Sequence, residues 1–344
     1  MKIINNKEYA IQELKRIANR TNSENNNKIN AIVEEILQEV KNYGDIAVEK
    51  YTRKFDGFDP DPMQVGKEEL KDAWNEIDSN LKRSLEVAYN RVKKFHEKEI
   101  PSSFTLKGEH GDTVQRRWLP VKNAGIYIPG GRAAYPSTVL MNAIPATVAG
   151  VEEIIMVSPG NREGKINKTV LAAAHLSGIN KVFRIGGAQA IGALAFGTNQ
   201  INKVDVITGP GNIYVTTAKK LIYGSTGIDS LAGPSEILII ADETAKSTLI
   251  ASDLLAQAEH DPLASSILLT TSNNQAKEVL DEIYKKIDNH PRKEICLDSI
   301  KNWGLIVVCD NYKSCIELSN NFAPEHLEIL ALDSKKILQG IENA

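Results

Sequence analysis

Apolar residues recur along this chain with two periods, one typical of amphipathic helices and one of buried strands. From Ile29 to Val40 they follow the i, i+3, i+4, i+7 spacing of a helix with one buried face. A second long helix is predicted from about Lys67 to His96, and a strand from Thr113 to Pro120. The first third of the chain is therefore predicted to be mainly helical.

The pattern changes at residue 124, where short apolar runs begin to alternate with helical segments. A strand over 124–128 ends at a Pro-Gly-Gly turn. The segments that follow are predicted as helix 137–149, strand 153–157, helix 169–177, strand 181–185, helix 188–196, strand 204–207 and helix 213–221. Such alternation is typical of a parallel sheet with helices on both faces.

The same alternation restarts near Ser235. Strands are predicted at 236–241, 266–270, 304–308 and 327–332, and helices at 246–259, 274–289, 312–320 and from 334 onward. The predicted fold class is α/β, with two doubly wound, Rossmann-like domains that have parallel sheets and are preceded by N-terminal helices. The expected boundaries are an N-terminal helical segment 1–30, a discontinuous first domain 31–123 plus 236–344, and an inserted nucleotide-binding domain 124–235.

Composition and charge exclude several classes of partner. The 344 residues are 42% hydrophobic and 25% charged, which is ordinary for a globular protein. A net charge of −3 gives no basic surplus for nucleic acid or a membrane surface, and no apolar run approaches the ~20 residues of a membrane span. The N-terminus lacks the apolar core of a signal peptide, and the three cysteines fit no disulfide framework. A reducing cytoplasm is expected, with no nucleic-acid or membrane partner.

Glycine-rich turns follow several of the predicted strands. They are Pro129-Gly130-Gly131, Gly186-Gly187-Ala188-Gln189, Gly209-Pro210-Gly211-Asn212 and Gly233-Pro234-Ser235. Glycine beyond the carboxyl end of a strand lets backbone N–H groups approach a phosphate at the start of the next helix. None of these turns is G-x-G-x-x-G, so each alone is weak evidence. Four in succession predict a bound nucleotide.

Three polar side chains lie close to these turns. Gln189 and Asn212 each follow a glycine turn, where an amide can bond a ribose or a phosphate. The structural alternative is helix N-capping, which suits Asn212 and suits Gln189 poorly. Tyr127 lies inside a predicted strand, so its alternative is core packing with a bonded hydroxyl.

A possible metal site lies in the segment Leu254 to Pro262. Gln257 and His260 are three residues apart and would share one helix face, with Glu259 and Asp261 adding negative charge. Imidazole is a common zinc ligand and a carboxamide oxygen is an uncommon one. The alternative is a hydrogen-bonded pair without a metal.

A possible acid–base pair, Glu325-His326, follows Pro324 at the start of a predicted strand. Histidine is well suited to general base catalysis near neutral pH, and a neighbouring glutamate can activate water. The alternative is an exposed polar strand entry.

Taken together, these segments resemble the histidinol dehydrogenase family. The matching stretches are G-I-Y-I-P-G-G at 125–131, I-G-G-A-Q-A-I at 185–191, V-D and G-P-G-N between 204 and 212, A-G-P-S-E at 232–236, S-D-L-L and Q-A-E-H between 252 and 260, and A-P-E-H-L at 323–327. They occur in the order of the family and cover the chain from about residue 30 to its end.

The resemblance implies a zinc-requiring, NAD-dependent homodimer that oxidises L-histidinol through L-histidinaldehyde to L-histidine, reducing two NAD at the end of histidine biosynthesis. The implied roles are NAD contacts for Tyr127, Gln189 and Asn212, substrate contacts for Ser235, Gln257, His260 and His326, zinc ligation for Gln257 and His260, general acid/base catalysis for His326, and water activation for Glu325.

The sequence departs from the family at its C-terminal end. Family members continue into a C-terminal helical domain, absent here, and the missing part also carries two further zinc ligands. The 344-residue form is therefore expected to be inactive or impaired. One alternative from another class is a nucleotide-binding, inactive partner protein with the same fold. Another is an aldehyde dehydrogenase that uses Cys296, Cys309 or Cys315 as its nucleophile.

Overall fold

A computed structural model describes residues 1–20, 25–130, 135–231 and 233–344. The chain forms two compact units. The split unit consists of residues 1–26 and 233–344, and the central unit consists of residues 27–232. Within the described ranges, no helix is long and apolar enough to cross a membrane.

Helices and strands alternate over most of the chain. The helices are α1 (Lys7–Ala18), α2 (Asn25–Tyr43), α3 (Asp45–Phe55), α4 (Lys67–Glu76), α5 (Ser79–His96), α6 (Pro136–Ala149), α7 (Lys168–Leu176), α8 (Gly187–Phe196), α9 (Ile213–Ile222), α10 (Ser247–Ala258), α11 (Asn273–Ile287), α12 (Lys293–Trp303), α13 (Tyr312–Phe322) and α14 (Ser334–Leu338). The strands are β1 (Lys2–Ile4), β2 (Phe104–Lys107), β3 (Thr113–Arg116), β4 (Asn123–Tyr127), β5 (Glu153–Val157), β6 (Lys181–Phe183), β7 (Val206–Thr208), β8 (Gly227–Ile228), β9 (Glu236–Ala241), β10 (Ser265–Thr270), β11 (Gly304–Val308) and β12 (His326–Leu330).

The split unit is built on a parallel sheet of order β1-β11-β10-β9-β12. Successive residues of a strand point to opposite faces of a sheet. In β9, Leu238 and Ile240 therefore join the core that includes α1 and α13, while Ile239 and Ala241 join the core under α10, α11 and α12. Both faces of this sheet are buried beneath helices.

The central unit has a second parallel sheet, of order β6-β5-β4-β7-β8. Ile126 and Met156 pack on the face that α4, α6 and α7 cover, whereas Tyr127 and Ile155 pack on the face that α2, α3 and α8 cover. The predicted α/β class with parallel sheets is confirmed in both units.

The N-terminal segments differ from the prediction in the unit to which they belong. The predicted domain boundaries place residues 31–123 with 236–344, whereas the structure places them in the central unit. The reason is that the apolar stripes of α2 and α3 (Val33, Leu37, Val40 and Tyr51 among them) are buried in the same core as β5 and α8. Segment 1–30 is also not wholly helical, since β1 pairs in parallel with β11.

Two predicted elements of the N-terminal third differ in extent. The long helix predicted over 67–96 is interrupted at Asp78, whose side chain caps α5 by accepting from the Asn80 and Leu81 N–H groups (2.8 and 3.3 Å). The strand predicted over 113–120 ends at Arg116 and pairs antiparallel with β2. Neither difference affects the parallel sheets.

Candidate functional site

Three of the four glycine turns meet at one edge of the central unit. The turns at 129–130, 186–187 and 209–212 follow β4, β6 and β7, so they lie at the carboxyl ends of parallel strands. The fourth turn was predicted at the same edge, and this is wrong. Residues 233–235 belong to the split unit and directly precede β9, at an amino edge. Gly131 and Ala232 lie outside the described residues.

A cleft of about 880 Å³ opens at the carboxyl edge of the central sheet. We call it the central cleft. Its volume is within the roughly 300–1,000 Å³ of typical small-molecule sites. Its lining includes Tyr127, Gln189 and Asn212, together with Asp56, Pro129, Gly130, Pro159, Gly160, Asn161, Arg162 and Gly187. The three side chains predicted to contact NAD are thus brought together in one cavity.

The Gln189 amide is buried with no partner among the described residues. It lies in α8, which begins at an N-cap formed by Gly186, so the expectation that Gln189 is not a cap is confirmed. The residue is 1% exposed, and no described residue forms a hydrogen bond with its Oε1 or its Nε2. Each such unmet group costs about 1–3 kcal/mol. An amide in this state at the wall of a cleft is suited to a ligand that supplies both a donor and an acceptor.

Glycine at position 187 makes room for that amide. Gly187 has a φ of +63°, and a Cβ added there would lie 2.6 Å from the Gln189 Oε1. Its N–H donates to the Tyr127 hydroxyl (3.2 Å). Burial raises the pKa of Tyr127 to about 12, so this hydroxyl stays protonated and can donate into the cleft.

Asn212 caps helix α9 and also lines the central cleft. Its Oδ1 accepts from the Tyr214 and Val215 N–H groups (3.0 and 3.2 Å), so its capping of α9 is confirmed. This bonding occupies the carbonyl oxygen and leaves the Nδ2 group as a donor. Asn212 can therefore cap the helix through its Oδ1 and donate to a ligand through its Nδ2 at the same time.

Asp56 also lines the central cleft, although no sequence pattern predicts it as a site residue. It caps the C-terminal end of α3, and its buried Oδ2 has no hydrogen-bond partner within the described ranges. Burial raises the pKa of this carboxyl to about 6. A helix-ending Phe-Asp-Gly sequence is typical of an ordinary turn, so no motif distinguished this residue.

In the split unit, Glu325 and His326 lie at the amino edge of the sheet. His326 is the first residue of β12 and is paired in register with Ile237 of β9. The Glu325 Oε2 accepts from the Glu236 N–H (3.3 Å), while its Oε1 lies 3.8 Å from the His326 Nε2. Their side chains are 53% and 60% exposed, so both are accessible to a substrate and to water.

Ser235 lies at the same amino edge. It immediately precedes β9, and its carbonyl accepts from the N–H of Ser265 at the start of β10 (3.1 Å). Strand β9 has β10 on one side and β12 on the other. The backbone therefore brings Ser235 next to the pair at the start of β12.

Gln257 and His260 occupy the end of α10 and the turn after it. The helix ends at Ala258, so His260 is not helical as predicted, but its N–H donates to the Gln257 carbonyl (3.2 Å) and keeps both in one turn. Gln257 is 9% exposed and His260 is exposed. An imidazole nitrogen and an amide oxygen are acceptable zinc donors, although a zinc site usually has four. Across the described ranges, no three His, Cys, Asp or Glu residues form a metal cluster.

The cysteines do not support the aldehyde dehydrogenase alternative. Cys296, Cys309 and Cys315 are free and buried, all within the split unit, and none lines the central cleft. Burial raises the pKa of Cys296, which disfavours its thiolate.

Comparisons with known proteins identify the family of this chain. The family model for histidinol dehydrogenase matches residues 19–344. The chain is 89% identical over 344 residues to the histidinol dehydrogenase of Prochlorococcus marinus (strain MIT 9312), covering 100% of this chain and 78% of the relative. It is 48% identical over 346 residues to that of Gloeobacter violaceus (strain ATCC 29082 / PCC 7421), with coverages of 100% and 78%.

A solved structure shows the same fold. The crystal structure of histidinol dehydrogenase from Elizabethkingia anophelis superposes with a TM-score of 0.87 at 38% identity, over 91% of this chain and 72% of that chain. The family match, these identities and the shared fold establish that the chain belongs to the histidinol dehydrogenase family and is an NAD-dependent oxidoreductase.

Proposed function

We propose that this protein oxidises L-histidinol through L-histidinaldehyde to L-histidine, with two NAD reduced and zinc required, in the last steps of histidine biosynthesis. The observation that carries the NAD assignment is the buried, unpartnered Gln189 amide in the wall of the central cleft. The family match supports the choice of substrate.

NAD binding is assigned to the central cleft. The Gln189 amide would exchange its unmet donor and acceptor for bonds to the dinucleotide, and the Tyr127 hydroxyl and Asn212 Nδ2 would donate to its oxygens. Gly130 and Gly186 let the two turns pack closely on Pro159, which also lines the cleft, because a Cβ on either would come within 2.4–2.6 Å of that ring. The lining fits a dinucleotide by its polar groups and by the volume of the cleft.

Proton transfer is assigned to the exposed pair of the split unit. NAD, when bound, accepts the hydride in each of the two oxidations. In the first, His326 takes the hydroxyl proton of the alcohol as the hydride leaves its carbon. In the second, water adds to the aldehyde carbon, Glu325 takes one water proton, and the former carbonyl oxygen gains the proton that His326 holds, giving the hydrate. Transfer of the hydride of that carbon to NAD, with loss of the hydroxyl protons, yields the carboxylate. Ser235, at the same edge, would contact the substrate.

Zinc would be held by the Gln257 Oε1 and the His260 imidazole. The ion would orient the polar groups of the substrate. These are two protein donors where four are usual, so we infer weak zinc binding and impaired turnover by these 344 residues alone. We also infer a homodimer in the cytoplasm. The free, buried cysteines support a reducing compartment.

The test is NADH formation from L-histidinol, with NAD and excess zinc, by this chain and by a version extended with the C-terminal part of a longer relative. His326→Gln should lower turnover of the extended protein by at least ~10²-fold, as expected for loss of a general base. His110→Gln is the matched control, because His110 is an exposed histidine in the turn between β2 and β3.

Calorimetric titration with NAD distinguishes the proposed enzyme from the alternative, a nucleotide-binding, inactive partner protein. Turnover that is lost with His326→Gln supports the proposal. NAD binding without turnover in either length of protein would favour the nucleotide-binding partner protein. Wild-type turnover in His326→Gln would remove His326 from the mechanism.

A further inference from the structure

We propose that Arg20 is a positioning residue for the substrate half of the active site. This inference rests on the proposed function, since it concerns the segments that carry Ser235, Glu325 and His260. Arg20 lies beyond α1, more than 200 positions away in sequence from every one of these segments. All of the residues involved belong to the split unit.

The Arg20 guanidinium is buried and bonded on all of its nitrogens. The side chain is 2% exposed. Its Nε donates to the Leu263 carbonyl (2.7 Å), its Nη2 to the Pro234 carbonyl (2.7 Å), and its Nη1 to the Ile17 carbonyl (2.9 Å) and the Glu236 Oε1 (2.7 Å). A buried cation with this many short bonds fixes the segments that it joins.

One of those segments leads to the acid–base pair. Pro234 and Glu236 flank Ser235, so one of the four bonds holds the backbone just before that residue and another holds the side chain just after it. The Glu236 N–H in turn donates to the Glu325 carboxylate (3.3 Å). The orientation of Glu325, the residue assigned to water activation, thus depends on the part of the chain that Arg20 holds.

The other segment leads to the metal-binding turn. Leu263 closes the loop that starts at Glu259, and its N–H donates to the Asp261 Oδ1 (2.8 Å). The Ala264 N–H donates to the Asp261 carbonyl (2.9 Å). This loop contains His260, so the bond from Arg20 to Leu263 fixes the far end of the loop against the Pro234 turn.

Arg16, in the last turn of α1, provides a matched comparison four residues before Arg20. Its guanidinium is 45% exposed, forms an ion pair with Glu13 (3.1 Å) and donates to the Asn302 carbonyl (2.9 Å). These contacts anchor α1 to the end of α12 and do not touch the site segments. A substitution at Arg16 therefore reports the loss of an arginine that serves the fold alone.

Arg20→Lys is the informative substitution. A lysine keeps the charge that Glu236 needs but has a single nitrogen, which cannot serve the Leu263 and Pro234 carbonyls in the fork geometry of a guanidinium. We expect the protein to fold while the two segments become free to move relative to each other. Even a small displacement of a catalytic group can lower kcat by about tenfold or more.

The experiment compares Arg20→Lys and Arg16→Lys by amide hydrogen exchange of the 344-residue chain and by kinetics of the extended protein. Arg20→Lys should speed exchange in 233–236, 261–265 and 323–327 and leave the central unit unchanged. It should lower kcat about tenfold, more in the L-histidinaldehyde step than in the alcohol step, with KM for NAD within about twofold, because the NAD residues belong to the central unit. Arg16→Lys should change none of these readouts.

The proposal is overturned if the amide exchange rates of Arg20→Lys equal those of Arg16→Lys. This outcome does not depend on whether the wild-type protein oxidises L-histidinol, so failure of the Arg20 proposal can be told apart from failure of the proposed function. An equal loss in both oxidation steps and in NAD affinity would also overturn it, because that pattern indicates general destabilisation. If Arg20→Lys does not fold, Glu236→Gln removes the charged bond and keeps the carbonyl bonds. It should speed exchange in 233–236 and 323–327, and unchanged exchange there would refute the role.

Discussion

Replacing Gln189 with leucine should make the protein more stable and a poorer binder of NAD. The residue is 1% exposed, and its two amide atoms have no hydrogen-bond partner in the described part of the chain. Leucine fills nearly the same volume with no polar atom, so the desolvation cost disappears while most of the packing remains. The substitution therefore separates ligand binding from folding at one position.

The magnitudes follow from the two unmet groups. At about 1–3 kcal/mol for each group, less the packing defect of a different side-chain shape, we expect a gain of about 2 kcal/mol in the free energy of unfolding. For a unit the size of residues 27–232, this corresponds to a rise of roughly 4–8 °C in Tm. Two lost hydrogen bonds to NAD, at roughly 0.5–1.5 kcal/mol each, should raise the Kd about tenfold.

Thermal unfolding with and without NAD measures both effects in one series. At an NAD concentration 100-fold above its Kd, the ligand should stabilise the wild-type protein by about 2.7 kcal/mol, and a tenfold weaker variant by only about 1.4 kcal/mol. Gln275→Leu is the matched control. Gln275 is 3% exposed, but its amide donates to the Asp242 and Ala245 carbonyls and accepts from the Thr270 hydroxyl. That variant should lose about 1–3 kcal/mol, with its NAD response unchanged.

The reasoning is refuted if Gln189→Leu lowers the Tm of the NAD-free protein. Such a result would mean that the amide has partners that the structure does not show. A higher Tm with an undiminished NAD shift would leave the stability argument intact and remove Gln189 from the cofactor site.

Three further substitutions test neighbouring features. Asp56→Asn should stabilise the NAD-free protein at pH 8 by about 1–2 kcal/mol, after discounting for partial exposure, because burial raises the pKa of Asp56 from 3.8 to about 6. The stability contributed by the protonated carboxyl is complete below pH 3.8 and lost as the pH rises through about 6, so urea midpoints of variant and wild type should converge at pH 4. Gly187→Ala should weaken NAD binding in calorimetry by at least about tenfold, since the new Cβ meets the Gln189 amide at a φ of +63°; unchanged affinity would contradict the assigned cleft. Tyr312→Phe should cost about 1–3 kcal/mol in urea unfolding, because it removes the hydroxyl that donates to Asp242 (2.6 Å), with no effect on NAD binding.

Local pattern predicted much of the central unit. The alternation of apolar runs and helices gave the parallel sheet, and glycine turns after β4, β6 and β7 gave the edge at which the cleft opens. Gln189 stood out because glutamine is a poor helix cap, and it lies inside α8 with its amide unbonded. Each of these features depends on residues that are close together in the sequence, so it can be predicted from local sequence pattern.

Long-range pairing was harder to predict. The apolar stripes of α2 and α3 show that each helix packs on a core, but not on which of two similar sheets. Position 233–235 lies between two strands, so it can be interpreted as following one or preceding the next, and only the division into units decides. Asp56 and Arg20 belong to no motif. Their importance comes from burial and from partners far away in sequence.

The proposed acid–base pair lies at the amino edge of its sheet, and the carboxylate at the opposite edge is engaged within the protein. Ligands of open α/β sheets usually bind beyond the carboxyl ends of strands. In the split unit, Asp242 at the end of β9 is 2% exposed and accepts from Thr244 (2.5 Å), from Tyr312 (2.6 Å) and from the Leu332 N–H (2.9 Å). Burial alone would raise the pKa of this carboxyl, but these hydrogen bonds hold it at about 2. The network keeps the charge and the bonding capacity of Asp242 within the protein, so this carboxylate has little to offer a ligand. The Glu325 and His326 side chains, at the other end of the neighbouring strand, are 53% and 60% exposed and therefore accessible to a ligand.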